Sequence, residues 1–318
     1  MTSSAAPLRL GLLGSAEARA PFERLAAADP HAEPAAAAEA PGELPAALDA
    51  AVVATPLERR AADACALLER GLHVLLPVPF AVEYAAFDAL MARANAKNLR
   101  IGAWLPLRFD AAAIRMRQIV LDHALGLPHS AQLERLRSSG GDGYLGHALP
   151  LLNLACWIMG EAPIGLGIRP DRLARAEVPA REAHGFLAFG HAGEPLAFTT
   201  LPGPQPEIPT GWALRVACAG GALRLGADRR LLVSTRGEAW RPEACALNDP
   251  AAENFADWIE ACRTGREPET NALDGLQSIA LTAAAAQAAR ERRTVELVRF
   301  HYEQALDEAW ERARRAGA

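Results

Sequence analysis

Short apolar runs alternate with helical patterns through the first third of the chain. The first run, residues 8–13, ends at Gly14 and is followed by an Ala-rich helical pattern from about Glu17 to Ala28. Further apolar runs and helical patterns then alternate at 50–54, 57–70, 72–76, 82–97 and 100–104. Strands that alternate with helices are typical of a parallel sheet with helices on both faces. The pattern therefore predicts a doubly wound α/β domain over about residues 1–122.

The pattern changes after about residue 122. One long helical pattern covers 144–159, and period-2 segments then follow without helices between them at 184–190, 195–201, 212–218, 221–225 and 229–234. Consecutive strands separated by Gly and Pro are typical of an antiparallel sheet. Helical patterns return at 251–264, 273–291 and 301–315. We therefore expect a second domain, residues 123–318, of α+β class with an open, mainly antiparallel sheet.

Composition argues against several classes of protein. The formal net charge is −5, and no block of basic residues stands apart from acids, so we expect neither a nucleic-acid partner nor a membrane partner. No apolar run approaches the ~18 residues of a membrane-spanning helix, and the first residues lack a signal-peptide pattern. These features predict a cytoplasmic protein. The 5 cysteines form no CxxC pair or Cys/His cluster, so no metal site is predicted.

Several short motifs occur in a defined order along the chain. They read Leu-Gly-Leu-Leu-Gly (10–14), Asp-Ala-Ala-Val-Val-Ala-Thr-Pro (49–56), Gly-Leu-His-Val-Leu (71–75), Leu-Arg-Phe (107–109), Leu-Leu-Asn-Leu-Ala-Cys-Trp-Ile-Met-Gly-Glu (151–161) and Thr-Gly-Arg-Glu-Pro (264–268) with Asp-Gly-Leu (274–276). In this order they resemble the glucose–fructose oxidoreductase / inositol dehydrogenase / MocA (Gfo/Idh/MocA) family. The resemblance implies a Rossmann-like first domain that binds NAD(P), and a second-domain sheet that commonly forms an oligomer interface.

The resemblance also implies a cofactor site at the ends of the first strands. The residues that it assigns to this site are Gly11, Gly14, Ser15, Glu39, Thr55 and Pro56. Glu39 could hydrogen-bond a ribose hydroxyl, although a solvated loop carboxylate explains this residue as well. The chain between residues 30 and 48 is short for the family, which usually fits more strands and helices there. We therefore expect a first sheet of fewer than six strands and the loss of one edge of the adenosine pocket.

The glycine turn of the family is altered. Its Gly-x-Gly-x-x-Gly pattern corresponds here to Gly14-Ser-Ala-Glu-Ala-Arg19, in which only the first glycine remains. The second glycine lets the backbone approach the pyrophosphate, and the third allows close packing of helix and strand. Glu17 adds a negative charge at the helix N-terminus, where a phosphate would lie. These changes predict that dinucleotide binding is weakened or lost.

The catalytic set of the family is also missing. The family's Glu-Lys-Pro aligns with Pro77-Val78-Pro79, and its helical Asp and His align with Gly146 and Pro150. The lysine would exchange a proton with the reacting hydroxyl, which valine cannot do. Lys97 is the single lysine among 33 Lys and Arg residues, and its place late in a helical pattern makes it a poor substitute.

Other side chains could replace the missing groups or contact a ligand. Asp142, Tyr144 and His147 cluster at the start of the helical pattern at 144–159, with Tyr144 and His147 spaced to share a face. They could act as relocated acid/base residues, although a helix cap with a hydrogen-bonded histidine explains them as well. Trp104 and Arg108 lie at the end of a predicted parallel strand, where α/β proteins bind ligands, and are candidate contacts for a small molecule.

Three functions are compatible with these residues. The first is a binding or assembly subunit that has lost dehydrogenase chemistry. The second is an enzyme with relocated acid/base residues, such as a lyase, isomerase or hydrolase. The third is an NAD(P)-dependent dehydrogenase of sugars or polyols. We also expect an even oligomer, with itself or with an intact paralogue, because the second sheet carries more apolar residues than one helical layer would cover. This apolar set comprises Phe186, Leu187, Phe189, Leu196, Phe198 and Leu201.

Overall fold

The computed structural model describes residues 6–81, 83–136, 144–160, 163–170, 183–189, 195–201 and 211–297. The chain forms two compact units. Of the described residues, the first unit contains those up to Pro106 together with Ala251–Ile279, and the second contains Leu107–Pro250 and those from Ala280 to Leu297. These boundaries differ from the predicted division at residue 122, since a helix that follows Asp110 packs in the second unit and a later helix returns to the first.

The first unit is built on a parallel sheet. Its elements up to residue 104 are β1 (Leu8–Gly14), α1 (Ala16–Ala28), β2 (Ala32–Ala38), β3 (Ala50–Ala54), α2 (Leu57–Glu69), β4 (His73–Pro77), α3 (Tyr84–Ala96) and β5 (Ile101–Trp104). Among the described residues this sheet has 5 strands in the order β2-β1-β3-β4-β5, all paired in parallel. Five strands agree with the prediction of fewer than six. β2 forms even though it contains Pro34, because an edge strand tolerates proline.

Side chains of successive strand residues pack on opposite faces of this sheet. Leu13 and Val53 lie in one buried cluster, whereas Leu12 and Val52 lie in another. The latter face is covered in part by Trp258, which is fully buried. Trp258 belongs to α6 (Pro250–Thr264), so a helix from late in the chain completes the core of the first unit. The doubly wound parallel fold predicted from the sequence is confirmed.

The second unit is built on a larger sheet. Its elements are α4 (Ala111–Leu121), β6 (Pro128–Leu136), α5 (Tyr144–Met159), β7 (Pro163–Pro170), β8 (Ala183–Phe189), β9 (Pro195–Leu201), β10 (Gly211–Cys218), β11 (Gly221–Gly226), β12 (Leu231–Thr235), β13 (Arg241–Pro242), the last turns of α7 (Ala272–Glu291) and β14 (Val295–Glu296). In the part of the chain that the structure describes, its 9 strands run in the order β13-β12-β11-β10-β6-β9-β8-β7-β14. Neighbouring strands are antiparallel except β6 and β9, which are parallel. The predicted open, mainly antiparallel sheet is confirmed, and the predicted helix at 301–315 lies outside the described residues.

The register of this sheet bears on the predicted apolar set. Leu187 is fully buried in the core of the second unit, and its register partner on β9 is Leu196. Phe198 is the register partner of Leu133, which is also buried in that core. Directly opposed residues share a face, so these positions and that of Phe189 lie on the core side. The other two members of the set occupy positions on the opposite face. The predicted oligomer stays a prediction.

Candidate functional site

The carboxyl ends of β1 and β3 meet at the topological switch point of the first sheet, where folds of this class bind their ligands. Gly14 has φ +138°, and a Cβ at this residue would lie 2.4 Å from the carbonyl oxygen of Ala54. Glycine is therefore required by the close approach of two strand ends, whether or not a ligand binds. Ser15 follows as the N-cap of α1, and its hydroxyl accepts from the Ala18 N–H at 3.4 Å.

The remaining predicted cofactor residues lie around this point. Gly11 is buried inside β1, and a Cβ there would lie 2.8 Å from Leu48 Cδ1, so packing explains this glycine. Thr55 follows β3 and is only 2% exposed, and Pro56 is the N-cap of α2 without a side-chain cap. Glu39 follows β2 and is exposed. Its predicted contact with a ribose stays a prediction.

Arg19 lies across the ends of two strands. Its Nη1 donates to the carbonyl oxygen of Gly14 at the end of β1 and to that of Ala38 at the end of β2, the latter at 3.3 Å. Its Nε lies 3.4 Å from the Glu23 carboxylate, and the Arg19 side chain is 15% exposed. The guanidinium therefore covers the strand ends on the β2 side of the switch point. Sequence reasoning identified Arg19 as a departure from the glycine pattern but did not predict these contacts.

A second guanidinium ties the segments that follow β3 and β4. Arg60 Nε and Nη2 donate to the carbonyl oxygen of Thr55 at 3.2 and 3.0 Å, and Nη1 donates to those of Pro77 and Pro79 at 3.2 and 2.6 Å. Burial of the guanidinium lowers the pKa of Arg60 to about 10. Four of its N–H groups are therefore directed at main-chain oxygens. Arg60 fixes the shape of this edge of the sheet.

Val78 occupies the position that the resemblance assigns to the catalytic lysine. It lies just after β4, joined to Pro79 by a cis peptide bond, and is 8% exposed. Its side chain belongs to the same buried cluster as Leu76 and Phe80. Lys97 follows the C-terminus of α3, where its Nζ donates to the carbonyl oxygen of Glu69. Because α3 leads into the start of β5, Lys97 lies at the amino-terminal edge of the sheet, opposite the edge that Val78 follows.

The helix that carries the family's Asp and His positions is α5. Gly146 and Pro150 both lie within it, and neither side chain can transfer a proton. Tyr144 and His147 lie in its first turns, but the described structure covers only their backbone. Asp142 lies outside the described residues. The relocated acid/base set therefore stays a hypothesis.

The two predicted ligand contacts are engaged in packing, each within its own unit. Trp104 stacks edge-on against Phe22, with ring centroids 4.9 Å apart and an interplanar angle of 64°. The Arg108 guanidinium lies 5.1 Å from the ring centroid of Trp157, and that of Arg117 lies 4.8 Å from it. Cation–π contacts at these distances stabilise the packing of helices. Packing explains both residues without a ligand.

A buried polar network in the second unit was not predicted from the sequence. Asp110 is 2% exposed and caps α4 by accepting from the Ala112 and Ala113 N–H groups at 2.9 and 3.2 Å. The same carboxylate accepts from Arg229 Nε. Arg229 Nη2 in turn donates to the Asn248 side-chain oxygen at 2.6 Å. This network anchors the start of α4 and has a structural role.

Known proteins resemble this chain in sequence and in fold. No protein-family model matches the chain. The chain is 26% identical to D-apiose dehydrogenase of Paraburkholderia graminis over 269 residues, which cover 72% of this chain and 68% of that protein. UDP-N-acetylglucosamine 3-dehydrogenase from Acidithiobacillus ferrooxidans superposes with a TM-score of 0.77 at 18% identity, over 90% of this chain and 98% of that one.

An oxidoreductase from Agrobacterium radiobacter, solved in complex with NAD+, L-tartaric acid and magnesium, superposes with a TM-score of 0.74 at 16% identity. The superposition covers 92% of this chain and 99% of that one. Likeness at such identities shows a common fold. The predicted resemblance to the Gfo/Idh/MocA family is therefore confirmed, and the chain has the fold of these oxidoreductases.

Neither a membrane-spanning helix nor a metal-binding cluster occurs among the described residues. Within them, no helix is both long enough and apolar enough to span a membrane. In the same part of the chain, no three His, Cys, Asp or Glu side chains come together in a way that could hold a metal ion. The candidate site is the switch-point edge of the first unit, which is defined by Gly14, Arg19, Thr55, Arg60 and Val78.

Proposed function

We propose that this protein is a relative of the Gfo/Idh/MocA oxidoreductases that does not act as a nicotinamide-dependent dehydrogenase and serves as a binding or assembly subunit. The observation that carries the proposal is the burial of Val78 in the core of the first unit. A catalytic lysine must reach the reacting hydroxyl of a substrate. A valine packed beside Leu76 and Phe80 can neither donate nor accept a proton.

The other proton-transfer positions support the same conclusion. Gly146 and Pro150 stand where the family has an acid and a base, and Lys97 is held at the far edge of the sheet by the Glu69 carbonyl. Losing one group of a concerted set already removes most of its rate enhancement. Loss of all of them leaves no acid or base at the family positions.

The cofactor positions support it as well. In this fold the pyrophosphate of a dinucleotide lies at the N-terminus of the first helix and the ribose lies at the end of the second strand. Here the Arg19 guanidinium lies on the carbonyls at the ends of β1 and β2, and Glu17 is exposed in the first turn of α1. The residues present do not fit NAD(P) bound in the manner of the family.

The role as a binding or assembly subunit follows from what the chain retains. The large open sheet, which in the family commonly forms an oligomer interface, is intact as a nine-stranded sheet. A second copy of the chain or a paralogue with an intact catalytic set would be the partner. The competing function is an NAD(P)-dependent dehydrogenase, which the 26% identity to D-apiose dehydrogenase favours.

The test combines binding and turnover. NAD+, NADH, NADP+ and NADPH are titrated calorimetrically into the purified protein, and formation of reduced nicotinamide is followed with a panel of sugars and polyols. We expect no micromolar binding and no turnover, with D-apiose dehydrogenase as the positive control under the same conditions. Turnover by the unmodified protein would disprove the proposal. A monodisperse monomer in light scattering, alone and mixed with an intact paralogue, would remove the assembly role.

A further inference from the structure

We infer that the Arg19 side chain blocks the adenosine side of the switch-point edge and thereby excludes adenine dinucleotides. The inference rests on the proposed function and deepens it by naming the residue that excludes one class of ligand. In the sequence Arg19 is only a departure from a glycine pattern. In the structure its guanidinium joins two strand ends that a dinucleotide in this fold would have to cross.

The contacts of Arg19 hold it in this position from several sides. Nη1 donates to Gly14 and to Ala38, which are the last residues of β1 and β2. Nε faces Glu23, one turn further along α1. At 15% exposure the side chain is largely enclosed by the protein, although it begins in the first turn of a surface helix.

Two opposing effects must be weighed. A guanidinium attracts phosphate and can bind it through paired hydrogen bonds, so the charge of Arg19 by itself favours a nucleotide. Its Nη1 donors, however, already point into the protein, and the carboxylates of Glu17 and Glu23 lie on the same helix. A phosphate that took the place of the guanidinium would break its hydrogen bonds to the Gly14 and Ala38 carbonyl oxygens. Arg19 therefore excludes a phosphate because its guanidinium occupies the space that the phosphate would need.

Alanine is the informative substitution because the last position of the glycine pattern accepts Gly or Ala. Arg19→Ala removes the guanidinium and leaves a residue whose size this fold accommodates between the first helix and the first strand. Arg24 offers a matched control, since it is exposed on the same helix. Arg24→Ala makes the same change in net charge without uncovering the strand ends.

The probe is ADP-ribose, which carries the adenosine and the pyrophosphate but lacks the nicotinamide. It is titrated calorimetrically into the unmodified protein, Arg19→Ala and Arg24→Ala, and circular dichroism compares their folds. We expect Arg19→Ala to bind at least about tenfold more tightly than the other two, a difference of ~1.4 kcal/mol. Arg19→Gln is the second variant, because its amide can still donate to the Gly14 carbonyl and hold the turn. It should show a smaller gain in the same direction.

Two results would overturn the inference. One is an Arg19→Ala protein, or an Arg19→Gln protein if the alanine variant does not fold, that binds no better than the Arg24→Ala control. The other is binding by the unmodified protein that Arg19→Ala abolishes, which would make Arg19 a phosphate ligand. Both differ from failure of the proposed function, which is turnover of a sugar or polyol by the unmodified protein. A gain of ADP-ribose binding by Arg19→Ala, with no turnover by the unmodified protein, would support both the inference and the proposed function.

Discussion

Val78→Lys restores the family's catalytic amine, and its effect on stability measures how deeply this position is buried. Val78 is 8% exposed in an apolar cluster, so the new ammonium would lose most of its hydration on folding. Buried lysines have pKa values lowered by up to ~3–5 units from ~10.4. Because Val78 lies near the edge of the sheet, we take a shift of ~2–3 units. At 1.36 kcal/mol per unit this predicts a loss of ~3–4 kcal/mol in the free energy of unfolding near pH 7.

The sign of the pH dependence follows from the lowered pKa. Between the folded pKa and ~10.4 the unfolded chain binds more protons than the folded one, so stability rises with pH. The destabilisation should therefore be complete below the folded pKa and should largely vanish near pH 10. Urea unfolding is followed by Trp fluorescence across this range. Val78→Met is the matched control, because it has a similar apolar chain without the charge.

The difference between the two variants isolates the charge from the change in packing. If Val78→Lys were no less stable than Val78→Met, and the difference did not change with pH, the introduced amine would be in contact with water. The position would then open into a solvated crevice, as a catalytic lysine requires. That result would refute the burial argument and with it the main support for a non-dehydrogenase function.

Further predictions concern catalysis, the second unit and assembly. The triple variant Val78→Lys, Gly146→Asp and Pro150→His should form no reduced nicotinamide with sugars or polyols, because the cofactor edge remains closed; turnover would show that only the catalytic residues were lost. Asp110→Asn should lower the free energy of unfolding by ~2 kcal/mol. This loss is smaller than the ~3–5 kcal/mol expected for breaking a fully buried ion pair, because the Arg229 side chain is 33% exposed. Asp110→Ala should lower the free energy of unfolding further, because it also removes the cap of α4. Equal free energies of unfolding for the two variants in urea would contradict this account. Light scattering should show an even oligomer, and a monodisperse monomer would count against it.

Local periodicity in the sequence was sufficient for most of the fold. The apolar run at 50–54 and the helical pattern at 57–70 correspond to β3 (Ala50–Ala54) and α2 (Leu57–Glu69). A strand buried on both faces and an amphipathic helix each leave a repeating local pattern. β6 was not assigned, although Ala131 and Leu133 follow a period of two. Its many polar residues weaken that pattern, and pairing with neighbours on both sides stabilises the strand.

The sequence by itself also determined that Val78, Gly146 and Pro150, the positions that the resemblance assigns to a lysine, an acid and a base, carry no proton-transfer group, because the identity of a residue needs no coordinates. Only the tertiary structure decided which side chains lie on the strand ends of the first unit. Arg19 reaches Ala38 and Arg60 reaches Pro79, in both cases 19 residues along the chain. Contacts between residues so far apart leave no periodic signal, since they depend on which strand ends the fold brings together. For the same reason, the burial of Val78 and the core-side position of Leu196 follow from packing and register.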